Sequence, residues 1–124
     1  LTIPDKWVRL GIHDYDVARA LAADLLRQPN LPTAVFAMSD IQALACITAA
    51  RELGLRVPDD LSVMGYDDLE ISCHTGLTTV RHHLQLGGRI GLEYLLRLLN
   101  GDNSPPPSLP PLEVIPRQTT GSRA

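Results

Sequence analysis

The sequence predicts an α/β fold, a parallel sheet flanked by helices, and three observations carry that prediction. Two short apolar runs, Ala34 to Met38 and Leu61 to Tyr66, are bounded by proline and polar residues, as strands covered on both faces would be. Between them lies "DIQALACITAARELG", an alanine- and leucine-rich segment with a helical character. Strands joined by helices of this length imply parallel pairing and right-handed crossovers. Finally, 124 residues with 44% hydrophobic and 20% charged side chains are enough for one domain with a real core.

Taken in order, "WVRLGI" at 7–12 carries valine and leucine between Pro4-Asp5 and the polar "HDYD", and reads as a strand. "DVARALAADLLRQ" sets Val17, Leu21 and Leu25 on one helical face, with Asp16 as the expected N-cap and Pro29 as the stop. The strand at 34–38 ends in Ser39-Asp40. The following helix ends at Gly54, a left-handed C-cap with Leu55 placed to pack back. "LSVMGY" is the next strand, and "DDLEISCHTG" reads as a polar connection, since its periodicity is poor.

"LTTV" is a short extended piece. "HLQLGGRIGLEYLLRLLNG" then repeats Leu84, Gly88, Leu92, Leu95 and Leu99 along one helical face. Gly87, Gly88 and Gly91 each weaken that helix by about 1 kcal/mol relative to alanine, so close packing against a neighbour is expected to compensate. The proline-rich "DNSPPPSLPP" predicts a stiff, partly extended connection, and "LEVIP" a final strand at 112–116.

The totals exclude several functions. A net charge of −3 with basic residues scattered singly gives this segment no electrostatic footprint for nucleic acid, so any DNA contact belongs to another part. No run of about 18 apolar residues is present to span a bilayer. The two cysteines, Cys46 and Cys73, fit neither a CxxC pair nor a metal cluster, and free thiols in a reducing, cytoplasmic setting are expected over a disulfide. Leu1 reads as part of a loop before a strand, so the chain is expected to be a piece of something longer.

In an open α/β sheet ligands sit beyond the carboxyl ends of the strands, and both apolar strands deliver polar pairs there, Ser39-Asp40 and Asp67-Asp68. A carboxylate so placed accepts two hydrogen bonds from adjacent sugar hydroxyls, which is one reading of Asp67. A turn or helix-capping role is the other, and Ser39 has the same two readings. Adjacent residues on extended chain point to opposite faces, so Asp67 and Asp68 do not form an acid/base couple. His13, His74, His82 and His83 have no metal-ligand spacing, and neither a phosphate loop nor a nucleophile elbow is legible. No catalytic residue, metal or cofactor is expected.

The blocks "PTAVFAMSDIQALACITAARELGLRVPDDLSVMGYDD" and "LTTVRHHLQLGGRIGLEYLLRLLNG", with a terminal "PRQTTGS", resemble in this order the sensor region of LacI/GalR-family transcriptional regulators. The resemblance runs from about Trp7 to Gly121 and implies part of a two-lobed fold, similar to periplasmic binding proteins, that closes around a small effector, expected to be sugar-like. It further implies a homodimer that binds operator DNA through an N-terminal helix-turn-helix absent from this chain. Residues 1–79 would be the latter part of the C-terminal lobe, residues 80–117 would contribute a helix and strand to the N-terminal lobe, and 118–124 would be a C-terminal tail. The glycine-rich helix would then lack the sheet it covers, exposing an apolar face that self-associates.

By the same resemblance Asp67 falls where the family's aspartate hydrogen-bonds the effector, and Ser39 where a polar residue contacts it. His13 falls near a commonly aromatic position, and His82 at a crossover where glutamine is usual; both depart from the common pattern. Asp40 and Asp68 are expected to act in capping and turn hydrogen bonds, and Leu44 with the segment near Cys73 to contribute to a dimer surface. The rival reading is an extracytoplasmic sugar-binding protein of a transport system; an enzyme is disfavoured.

Overall fold

The computed structural model describes residues 2–122. After a 3-10 turn at Asp5–Trp7, the elements are α1 (Tyr15–Leu26), β1 (Ala34–Phe36), α2 (Asp40–Glu52), β2 (Ser62–Tyr66), α3 (Glu70–Thr75), β3 (Thr78–Arg81), α4 (Leu84–Leu99) and β4 (Glu113–Ile115). The strands form one sheet in the order β1-β2-β3-β4, the first three parallel and β4 antiparallel to β3.

The core is small-residue packing. Ala22, Ala23 and Leu26 of α1 meet Ala43, Cys46, Ile47, Ala49 and Ala50 of α2 over Leu61, Val63 and Leu77. Alanine at so many contact positions lets helix and sheet approach closely, so the stabilisation comes from dense apolar contact. Burial alternates along β2, with Val63 and Gly65 inward. A methyl on Gly65 would collide with Asp40 and press on Ala43 and Leu77, which is why no side chain fits there. At the α1–α2 rim the Tyr15 hydroxyl meets Thr48 at 2.7 Å and Arg19 meets Glu52 at 3.1 Å.

The ends of α2 follow their sequence signals. Ser39 Oγ accepts from the Gln42 amide at 3.2 Å, an N-cap contributing about 1 kcal/mol. Gly54, at φ +77°, closes the other end: its amide donates to Arg51 and that of Leu55 to Ala50, at 3.0 and 2.9 Å. This is the paired C-terminal motif that satisfies two orphan carbonyls.

Several expectations need correction. Residues 7–12 form no strand: a strand needs an edge to pair with, and Leu10 and Ile12 stand 90% and 69% exposed. The N-cap of α1 is Asp14, whose carboxyl accepts from the Val17 amide, and not Asp16; the helix ends at Leu26, before Pro29. The strand predicted at 34–38 stops at Phe36, and it is not covered on both faces, since Ala34 and Phe36 are exposed, Phe36 at 52%. The stretch read as a polar connection contains α3, whose six residues are too few to show periodicity. The parallel sheet flanked by helices is present in β1–β3, and β4 joins it antiparallel beside β3.

The helix predicted at 83–100 is α4, and none of its residues is buried; Leu84, Leu92, Leu95, Leu96 and Leu99 are all more than half exposed. Beyond β4 the chain does not trail away. Thr119 is buried: its carbonyl accepts from the Val63 amide at 2.7 Å, and its hydroxyl donates to the Val63 carbonyl and accepts from the Thr78 amide. The last residues of the predicted tail, 123 and 124, lie outside the described residues.

Candidate functional site

Strand register decides which residues share an edge. Phe36 pairs with Met64, and Tyr66 with Val80. Ser39, Asp67 and His82 therefore follow their strands at the same carboxyl edge of the sheet, where loops diverge and ligands are held in open α/β folds.

At that edge the chain turns sharply. Asp67 and Asp68 both have positive φ, +123° and +54°; the second lies in the left-handed region where aspartate is among the few tolerated side chains, and the first lies outside it, where glycine is usual. Three successive amides are pinned: Asp67 donates to the Val80 carbonyl at 3.0 Å, Asp68 to Thr79 Oγ1 at 3.4 Å and Leu69 to Asp40 Oδ2 at 2.8 Å. Such a conformation persists only where its surroundings over-determine it.

The two carboxyl groups then part. Asp67 Oδ1 lies 3.1 Å from His82 Nε2, and the His82 ring stacks on Tyr66 with centroids 5.4 Å apart and planes inclined by 19°. Both side chains of the pair remain partly open, at 28% for Asp67 and 23% for His82. Asp68 instead turns inward, 9% exposed, between Arg81 Nε and Arg117 Nη2, each at 2.7 Å. Burial works to raise its carboxyl, but the hydrogen bonds and charges of Arg117 and Arg81 outweigh that and hold it below the usual carboxylate range.

Asp40, the first residue of α2, is fully buried and accepts from the Leu69 amide, from Ser72 Oγ at 2.6 Å and from Thr79 Oγ1. One side chain thus joins α2, the turn, α3 and β3. Sequence reasoning gave Asp40 a local capping role and missed this reach, since its partners lie 29 to 39 positions away. Arg117 and Tyr66 were likewise missed; no local signal marks either.

Of the four candidates, Asp67 and His82 are brought together. Ser39 stands at the same edge, but it is 2% exposed and engaged as an N-cap. His13 is exposed on the loop before α1 and hydrogen-bonds none of the other three among the described residues. Its neighbour Ile12 accepts from Gln42 Nε2 at 3.4 Å, which ties that loop to the first turn of α2. An apolar groove of about 230 Å³ lies between residues 7–12, α1 and β1, lined by Trp7, Leu10, Leu21, Val35 and Phe36; none of the four candidates lines it. The described residues contain no cluster of histidine, cysteine or carboxylate groups able to hold a metal, and Cys46 and Cys73 are both free.

The profile of the periplasmic binding protein-like domain matches residues 2–120. An HTH-type transcriptional repressor PurR from Haemophilus influenzae is 40% identical over 98 residues, 77% of this chain and 29% of that protein. Several solved structures share the fold at more than 30% identity, two of them with informative partners. The transcriptional regulator CelR in complex with cellobiose is 32% identical with a TM-score of 0.84, covering 96% of this chain and 37% of its own. The Lac repressor dimer bound to operator and the anti-inducer ONPF is 34% identical with a TM-score of 0.78, covering 86% and 38%. The chain spans about a third of the length of the curated relatives it matches. The chain belongs to the family of periplasmic binding protein-like domains, in the form that builds the effector-binding region of LacI/GalR-type transcriptional regulators.

Proposed function

We propose that this chain is the effector-binding and dimerisation region of a cytoplasmic DNA-binding regulator that senses a sugar-like small molecule and carries out no catalysis. The observation that carries the reading is the pairing of Asp67 with His82 at the carboxyl edge of the sheet, both side chains still partly open. Asp67 offers a two-oxygen acceptor for adjacent hydroxyls, and the stacked His82 and Tyr66 rings offer a flat face to a sugar ring. Ser39 and His13 stay in the proposed contact set on the family resemblance alone, Ser39 being buried as an N-cap and His13 exposed on the loop before α1. The cellobiose complex of CelR supports a sugar, and the Lac repressor dimer on its operator supports dimerisation and DNA binding through a part beyond this chain.

In this reading residues 1–79 belong to one lobe and, of 80–117, α4 belongs to the other while β4 pairs with β3 in the first lobe's sheet, and an effector held between the lobes favours one lobe arrangement by its differential affinity. The uncovered leucine face of α4 supports this division. The test is calorimetric titration of the full-length protein with cellobiose, lactose, glucose and ribose, repeated on Asp67→Ala. Binding of one sugar, weakened at least tenfold by the substitution, is expected; unchanged affinity in Asp67→Ala removes the assignment. A processed leader at the mature N-terminus, in place of a helix-turn-helix, would make the protein a transport binding protein instead.

A further inference from the structure

Asp68 and Arg117 have no place in the contact set above, yet they hold the most buried ion pair of the described residues, with side chains 9% and 16% exposed. Arg117 is itself fixed: its amide donates to Thr78 Oγ1 at 2.9 Å and its Nη1 to the Leu77 carbonyl at 2.8 Å. Its second nitrogen reaches Asp68 at 2.7 Å, with Arg81 on the other oxygen. The guanidinium fork therefore bridges the base of β3 and the turn beyond β2, and it comes from the segment after β4. Arg81 is the weaker arm, being 46% exposed and also drawn to Glu113 at 3.6 Å.

The neighbour of Asp68 on this turn is Asp67, held at φ +123° with its carboxyl against His82. A non-glycine residue keeps such a backbone only while its flanks are fixed. Upstream, β2 fixes it through its pairing with β3. Downstream, the Asp68 and Leu69 amides bond Thr79 and Asp40, and the Asp68 side chain adds the anchor that ties the turn to the segment after β4.

We propose that Asp68, held by Arg117, is the positioning residue that aims Asp67 at the effector, so that the C-terminal segment is a working part of the binding site. This rests on the reading of Asp67 as an effector contact. It assigns Arg117 a role that a plain tail residue lacks: any shift of the segment after β4 is transmitted to the direction of the binding carboxylate.

Asp68→Asn isolates the effect, because asparagine adopts the left-handed conformation as readily as aspartate and keeps its shape while losing the charge that holds two guanidinium groups. Arg117→Lys keeps the charge but loses the fork that serves Leu77 and Asp68 together, and it stands in should Asp68→Asn fail to fold. Crystal structures of the full-length variants are expected to keep the core while the Asp67 carboxyl leaves hydrogen-bonding distance of His82. Titration with cellobiose, lactose, glucose and ribose is expected to give about tenfold weaker binding of whichever sugar the unaltered protein takes, the size of one charge-assisted hydrogen bond. An Asp67–His82 contact unchanged in both variants overturns the proposal, with or without a bound sugar. A displaced Asp67 together with unchanged affinity in Asp67→Ala would leave the positioning intact and remove the effector reading beneath it.

Discussion

Replacing Asp40 by alanine removes the common acceptor of three donors in a fully buried place: the Leu69 amide, the Ser72 hydroxyl and the Thr79 hydroxyl. An unsatisfied buried donor costs about 1–3 kcal/mol. The two hydroxyls can rotate toward other acceptors and the Leu69 amide cannot, so the sum falls short of three full penalties, at roughly 3–5 kcal/mol. Against a total stability of about 5–15 kcal/mol for a domain this is a large share. Urea unfolding followed by far-ultraviolet circular dichroism measures it. With a slope of about 2 kcal/mol/M, the midpoint should fall by about 2 M. Asp40→Asn keeps one oxygen and turns an amide toward the remaining donors, so it should fall between. A midpoint for Asp40→Ala within about 0.5 M of the unaltered protein would show that Asp40 is not the junction of α2, the turn, α3 and β3.

Gly65→Ala should destabilise by about 1–3 kcal/mol in the same assay, since the added methyl meets Asp40, Ala43 and Leu77 with no free space. Iodoacetamide at pH 8 should modify Cys73, which is exposed, and spare Cys46, whose burial raises its thiol to about 11; mass spectrometry should find one adduct per folded chain. The Asp68 carboxyl titrates lower folded than unfolded, so its stabilising contribution is fully present above the ordinary carboxylate value and is lost as pH falls through the lowered one; Asp68→Asn should therefore flatten the acid side of the stability profile. Gly91→Ala should strengthen α4 by roughly 0.5–1 kcal/mol in this chain, because an added methyl there meets nothing within 4 Å. Light scattering should show concentration-dependent association of the chain through the α4 leucines, and Leu95→Glu should reduce it; a stable monomer at every concentration would count against an adhesive α4 face.

Where the information is local, the sequence was sufficient. Ser39 before a helical run, and Gly54 followed by Leu55 after it, act within a few residues of themselves, and both ends of α2 stand where those signals put them. Residues 7–12 carry strand-forming side chains but bond to no edge, and propensity alone does not make a strand. The candidate site divides in the same way. Strand ends could be read from composition, which made Asp67 a candidate, and its effector role came only from the family resemblance. The stack of Tyr66 on His82 and the reach of Arg117 to Asp68 join residues 16 and 49 positions apart, and no spacing rule covers them.

Two adjacent carboxyl groups at the end of a buried strand are costly unless they part, and here they do. One goes inward to bridge two guanidinium groups and fix the turn; the other goes outward, bonding His82, whose ring stacks on Tyr66. The conformation at Asp67 sharpens the point. Glycine would adopt φ +123° with no steric cost, and the amide that Asp67 donates to Val80 would be equally available from glycine. Folding alone therefore favours glycine at this position. A carboxyl group held there against that preference, bonded to His82 and left 28% open, is the observation that motivates the proposed effector contact.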